Sequence, residues 1–135
     1  MSAETRERTV TRAIIVTDEG VLLGKRHHGM GAKQFALIGG KPEGNETPEE
    51  CVTREVGEET GLKLKNPVLF KRIHDSQSVP GENWDVYYFI GKGEGELCLK
   101  KDEVLEAKYV DRRTFEDLDI AFDHREILEE FFGLR

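Results

Sequence analysis

Three carboxylates, Glu55, Glu58 and Glu59, fall close together on a segment whose other residues favour a helix. Residues three and four apart share a helix face, so the three acids crowd together, and like charges at that spacing weaken a helix unless a cation neutralises them. A divalent metal would supply that charge. An all-oxygen donor set suits a hard cation, Mg2+ or Mn2+, which keeps several waters and bridges carboxylates to substrate phosphates. Hydrolysis of a phosphoanhydride needs charge neutralised on the phosphate oxygens and a water made nucleophilic near neutral pH, and a carboxylate-bound metal provides both. The competing reading is a solvated acidic helix face.

The elements that must position these acids can be read around them. Thr47-Pro48-Glu49-Glu50 is a capping-box signature, with Thr47 accepting from the first turn, Pro48 at the first helical position and Glu50 reaching back. Gly61 suits the left-handed conformation past a helix end, and Val52 and Val56 form an apolar edge four residues apart, leaving the acidic face free. Upstream, Val10 to Thr17, the turn residues Asp18-Glu19-Gly20 and the apolar Val21-Leu22-Leu23 read as a hairpin. Phe35 to Ile38 reads as a short strand, with Gly39-Gly40 at its junction with a loop, where missing Cβ atoms permit close approach. Downstream, Val68 to Ile73, Val86 to Ile90 and Tyr109-Val110 read as strands, Asp75 to Asn83 as a mobile loop, and Ile127 to Phe132 as a closing amphipathic helix. Strands interleaved with two helices predict an α/β sandwich over a single domain, residues 1–135.

The stretch from Gly40 to Leu62 also fits every fixed position of the Nudix box, G-x5-E-x7-R-E-U-x-E-E-x-G-U with U aliphatic, through Gly40, Glu46, Arg54, Glu55, Val56, Glu58, Glu59, Gly61 and Leu62. The chain thus resembles the Nudix hydrolases. The resemblance implies an α/β/α sandwich with a mixed sheet and the box as a loop-helix-loop, and hydrolysis of a nucleoside diphosphate linked to another group. It implies Glu58 and Glu59 as metal ligands, with Glu55 either a further ligand or the group that orients or deprotonates the water. Gly39 would offer its carbonyl to the metal, and Glu46 would brace the loop through backbone amides. Arg54 would hold the glutamates, as a guanidinium fork grips carboxylates. Gly40 and Gly61 serve as structural positions of the box. Many relatives carry Pro-Gly-Gly at its entrance, where Ile38 stands here before Gly39.

Outside the box, relatives often complete the metal site with an acid before a late strand. Glu103 is the candidate and Glu106 the second, unless that charged connection is a solvated loop. For the substrate, Trp84 is the sole tryptophan, placed to stack on a base or to pack. Asp123 stands where nucleotide hydrolases of the MutT type read a base edge, although Asp123 with Glu126 also makes a D-x-x-E helix cap. Arg26, His27 and His28 follow the second strand, where they could meet phosphate or base. His28 and His124 have no spacing that demands a metal.

The leading expectation is a MutT-like nucleoside triphosphate pyrophosphohydrolase, acting on 8-oxo-dGTP or another aberrant nucleotide. An ADP-ribose or ADP-sugar pyrophosphatase is the rival, but Gln77 stands where that group tends to have proline. A dinucleoside-polyphosphate hydrolase is disfavoured by Val79 at the place of its tyrosine. A Nudix module that only binds nucleotide forms the third class, and such modules usually lose box carboxylates that are kept here. The net charge of -7 argues against a nucleic-acid polymer or anionic membrane surface as partner. No apolar run reaches the roughly 18 residues of a membrane span, and the charged start MSAETRERTV lacks an apolar signal segment. With Cys51 and Cys98 far apart and outside any metal-ligand pattern, the sequence predicts a reduced, cytoplasmic protein. A homodimer is compatible with all of this.

Overall fold

A computed structural model describes residues 5–135. Strand β1 (Arg6–Thr17) and β2 (Gly20–Arg26) form the expected hairpin, but they pair only near the turn, from Ile15↔Leu22 to Thr17↔Gly20. Beyond that they separate, and the short strands β3 (Phe35–Ala36) and β4 (Ile38–Gly40) enter the gap, β3 pairing with β2 and β4 with β1. Gly39 and Gly40 therefore belong to a strand themselves and end it, with the loop starting at Lys41. Gly39 pairs with Arg12 so closely that a Cβ would collide with the Thr11 carbonyl, which explains the bare backbone.

Helix α1 (Pro48–Thr60) leads into β5 (Lys63–Asp75), which pairs antiparallel with β6 (Glu82–Glu94). Strand β6 lies parallel to β1, and β7 (Val104–Val110) borders β2, making the sheet mixed. The strands run beyond the apolar runs that predicted them, because pairing with β1 and β5 carries the polar ends of β6 into the ladder. A 3₁₀ turn, Phe115–Asp117, which the sequence did not announce, precedes α2 (His124–Phe131).

Period-two alternation along β1 and β2 divides the apolar side chains between two faces. Ala13, Ile15 and Leu22 meet Val52 and Val56 of α1, while Ile14, Val21 and Leu23 meet Phe115 and Ile127 and Leu128 of α2. Burying each α1 valine contributes about 1.5–3 kcal/mol. The result is the α/β/α sandwich with one helical layer on each face. Among the described residues, no helix is long and apolar enough to cross a membrane.

Candidate active site

Both ends of α1 are set by its own sequence. The Glu50 amide donates to Thr47 Oγ1 at 3.1 Å, and the Thr47 amide donates to Glu50 Oε1 at 2.9 Å, so the capping box is reciprocal. Gly61 closes the helix at φ 77°, and a Cβ there would also press on Cys98. The Cys98 side holds a strap. Cys98 N–H donates to the Thr60 carbonyl at 2.7 Å and Lys100 N–H to the Glu59 carbonyl at 3.0 Å, using two of the helix's terminal acceptors. The strap delivers Glu103, whose carbonyl accepts from His27 N–H, to the side of α1 that carries Glu59.

Arg54 organises the acids. Its Nε and one terminal nitrogen grip Glu46 in a fork, at 2.7 and 3.0 Å, and the other donates to Glu55 at 2.9 Å and Glu58 at 3.0 Å. A further bond reaches the Lys41 carbonyl at 3.1 Å, tying the loop after β4 to the helix. Glu46 braces that loop by accepting the Glu43 amide at 2.8 Å. The Arg54 hydrogen bonds and the Glu43 amide hold the Glu46 carboxyl below the usual carboxylate range. Much of the like-charge repulsion expected along α1 is thus relieved by an arginine, without a metal.

Glu59 is the exception. Burial, together with a hydrogen bond to Glu55 and its charge, pushes the Glu59 carboxyl up to about 8. Its Oε2 is buried without a hydrogen-bond partner among the described residues. A buried polar atom left unpaired costs free energy, so this oxygen fits a place where a cation would sit. Gly40 leaves room for Glu55 beside it, since a Cβ there would meet the Glu55 carboxyl at 2.5–2.7 Å. Among the described residues, no three metal-ligating side chains converge into a ready cage. Glu58 points to Arg54 and is half-exposed, so Glu55 and Glu59 form the tighter pair.

A cleft opens beside this pair, lined by Glu59, Gly39 and Glu103 on one wall and by Arg12, Lys25, Arg26 and His28 on the other. Glu103 and Arg26 thus border the same space as Glu59. Glu106 pairs with Lys25 at 3.4 Å on β7 and does not line the cleft.

One of the substrate expectations is not met, and for Asp123 it is the capping alternative that falls away. Trp84 lies away from the cleft, its ring between the cations of Arg8 and Lys41, each 5.7 Å from its centroid, and its N–H donates to Glu82 at 2.9 Å. It packs on β1, because parallel pairing sets Trp84 opposite Arg8. Asp123 makes no helix-capping hydrogen bond, so the D-x-x-E cap is absent. The neighbouring residue matters more. Phe122, at φ 56°, places its ring under the Arg12 and Arg26 guanidiniums at 5.6 and 5.1 Å.

Arg12 and Phe122 had escaped sequence reasoning. Arg12 did leave one signal, a lone charge inside the apolar run from Val10 to Val16. His124 is also structural rather than a ligand: it is buried, and its Nδ1 accepts the Leu37 amide at 3.0 Å. Burial first, then the charges of Arg12 and Arg26, hold its imidazole well below the ordinary range, so it stays neutral.

The NUDIX domain model matches residues 7–131. An ADP-ribose pyrophosphatase of Methanocaldococcus jannaschii is 35% identical over 119 residues, covering 87% of this chain and 69% of that protein. An NAD-capped RNA hydrolase NudC of Haemophilus influenzae is 34% identical over 86 residues, or 63% of this chain, which spans only 31% of that protein's length. The crystal structure of a MutT NUDIX hydrolase from Burkholderia pseudomallei superposes with a TM-score of 0.75 at 25% identity, covering 92% of this chain and 97% of that one. With the box acids gathered at a cleft on this fold, the chain belongs to the Nudix family and is a Nudix hydrolase.

Proposed function

We propose that the chain hydrolyses the pyrophosphate linkage of a nucleoside triphosphate, giving a monophosphate and pyrophosphate. The observation that carries the reading is the buried, unpartnered Oε2 of Glu59 against Glu55 at the head of the cleft. Nudix hydrolases generally use divalent metal ions. Here Glu59, Glu55 and the Gly39 carbonyl would hold Mg2+ or Mn2+, with Glu58 joining once released from Arg54. Bound there, the ion would neutralise phosphate oxygens and acidify a water. The chain's own residues do the rest. Arg54 fixes Glu55 and the loop after β4, and Glu103, which lines the same cleft as Glu59, would take the proton of the attacking water. A new phosphorus–oxygen bond forms as the bridging anhydride bond breaks, and the pyrophosphate leaves toward the basic wall. Two thiols without a disulfide accord with a cytoplasmic setting.

The second reading is an ADP-ribose pyrophosphatase, favoured by the name of the Methanocaldococcus relative. The cations of the basic wall favour the triphosphate, which carries more charge than ADP-ribose. The test is phosphate release across 8-oxo-dGTP, ordinary nucleoside triphosphates and ADP-ribose in Mg2+, with inorganic pyrophosphatase for the triphosphates and alkaline phosphatase for ADP-ribose. Turnover of a triphosphate by wild type, lost in Glu59→Gln, is expected. Turnover of ADP-ribose alone selects the second reading, and a folded, metal-binding protein inert across the panel would sink both.

A further inference from the structure

Arg12 is a cation without a counterpart. It stands on β1 opposite Gly39, lines the cleft, and is mostly withdrawn from water, yet among the described residues it has no hydrogen-bonded or ion-paired carboxylate. Glu59, an acid with an unsatisfied oxygen, borders the same cleft and does not close on it. An orphan base and an orphan acid facing one space without pairing leave a gap that a ligand with both a cation and an anion would fill.

A second cation stands beside the first. Arg26 acts on Arg12 as a like charge, and that repulsion, after burial, lowers the Arg12 guanidinium to about 10, still protonated at neutral pH. Two features hold the pair together. The Phe122 ring lies against both guanidiniums, and Arg26 Nε donates to the Met30 carbonyl at 2.8 Å. The ring is itself held in place: Phe35 N–H donates to the Asp119 carbonyl and Ala121 N–H to the Phe35 carbonyl, both at 2.8 Å, and Phe122 takes a left-handed backbone that a non-glycine residue adopts only at a cost. His124, against the Phe122 ring, stays neutral and adds no further charge to the pair. Two guanidinium forks lining one cleft suit the paired oxygens of a phosphate.

We propose that Arg12 and Arg26, braced by Phe122, form an anion clamp that binds the departing pyrophosphate end of the substrate and so selects substrates ending in free phosphates. This rests on the hydrolase reading above and names its substrate class.

The test uses the full chain in EDTA, with inorganic pyrophosphate as the probe in a calorimetric titration, against Arg12→Gln, Arg12→Lys and Arg26→Gln. Wild type binds. Each glutamine variant weakens binding about tenfold or more, since a charge-assisted hydrogen bond is lost, and Arg12→Lys recovers only part, because the charge remains without the fork. In turnover, Arg12→Gln raises KM for a nucleoside triphosphate about tenfold and changes kcat less than about threefold, a split that a merely structural arginine would not produce. Should Arg12→Gln fail to fold, Arg26→Gln at the rim carries the comparison. Pyrophosphate affinity equal in wild type and variants, or no binding by wild type, overturns the clamp. Arginine-dependent binding in a protein that hydrolyses nothing would keep the clamp and sink the hydrolase, whereas hydrolysis with arginine-independent binding does the reverse.

Discussion

On the acidic wall of the cleft, Arg54 finds its partners in Lys41, Glu46, Glu55 and Glu58, all within one loop and one helix. On the basic wall, Arg12 of β1 and Arg26 of β2 meet Phe122, and Leu37 is held by His124, so residues far apart in the chain meet only once the sheet and α2 have assembled. The acidic wall carries its own counterion and is nearly self-sufficient. On the basic wall Lys25 reaches Glu106 and His28 reaches Glu103, but Arg12 and Arg26 have no counterion among the described residues and depend on tertiary packing. A local device can be set by a short motif; a device drawn from two layers of the sandwich cannot.

The largest expected effect comes from breaking the local wall at its centre. Arg54→Ala leaves Glu46, Glu55 and Glu58 without their shared cation and frees the loop after β4. Activity should fall at least about a hundredfold, since misplacing groups by about an ångström suffices for that loss. Far-ultraviolet circular dichroism should keep the helix, because the capping box and Gly61 remain. An Arg54→Ala protein with near-normal turnover would mean that the glutamates hold their positions without it. Gly40→Ala attacks the same wall without deleting a charge, by driving a methyl group into the Glu55 carboxyl. A loss of about tenfold in kcat is expected, with a thermal midpoint within a few degrees of wild type. A loss of stability without a loss of rate would show that Gly40 serves the strand and not Glu55.

The difference between the walls also explains what could be read in advance. The capping box, Gly61, the Arg54 grip and the Val52/Val56 edge depend on contacts inside one segment, where residue type and spacing carry the information. Trp84 misled because its neighbours are set by the parallel pairing of β6 with β1, which no local pattern encodes. Asp123 misled because its backbone, at φ −92° and ψ 16°, does not aim the side chain at the first turn, whatever the D-x-x-E pattern promises. The place of Glu103 was legible only by family resemblance. What holds it there, the strap on the last carbonyls of α1, is made by backbone groups, and these leave no trace in residue identity.

The basic wall should break with pH. His124 titrates near 6.5 when unfolded and well below that when folded, because burial and two neighbouring arginines oppose its charge. Above pH 6.5 both states are neutral there and stability is unaffected. Below it the unfolded chain takes up a proton that the folded chain refuses, so stability declines as pH falls, by about 1.4 kcal/mol per unit down to the folded-state value. Between pH 7.5 and 5.5 this contribution changes by about that amount. Acids held low in the fold, such as Glu46 and Asp111, contribute little in this window, whereas Glu59, pushed up to about 8, adds stability as pH falls and opposes His124. In urea denaturation His124→Asn, whose side-chain oxygen can still accept the Leu37 amide, should be free of that loss and gain about as much on wild type between the two pH values. An unchanged slope in that variant would assign the acid sensitivity elsewhere.

The smallest effect sharpens the boundary of the cleft. Trp84 has its ring faces against Arg8 and Lys41 and its N–H on Glu82, and it lies on neither wall. Trp84→Phe keeps an aromatic face and removes one hydrogen bond, which costs about 0.5–1.5 kcal/mol of stability. KM for the nucleotide should stay within about twofold. Lys41 ties this neighbourhood to the acidic wall, through its carbonyl on Arg54. If KM rises severalfold in Trp84→Phe while Arg8→Gln leaves it unchanged, Trp84 acts through Lys41 on the loop. If both variants raise it together, the substrate reaches across β1 to the ring itself, and the acidic wall has a second face.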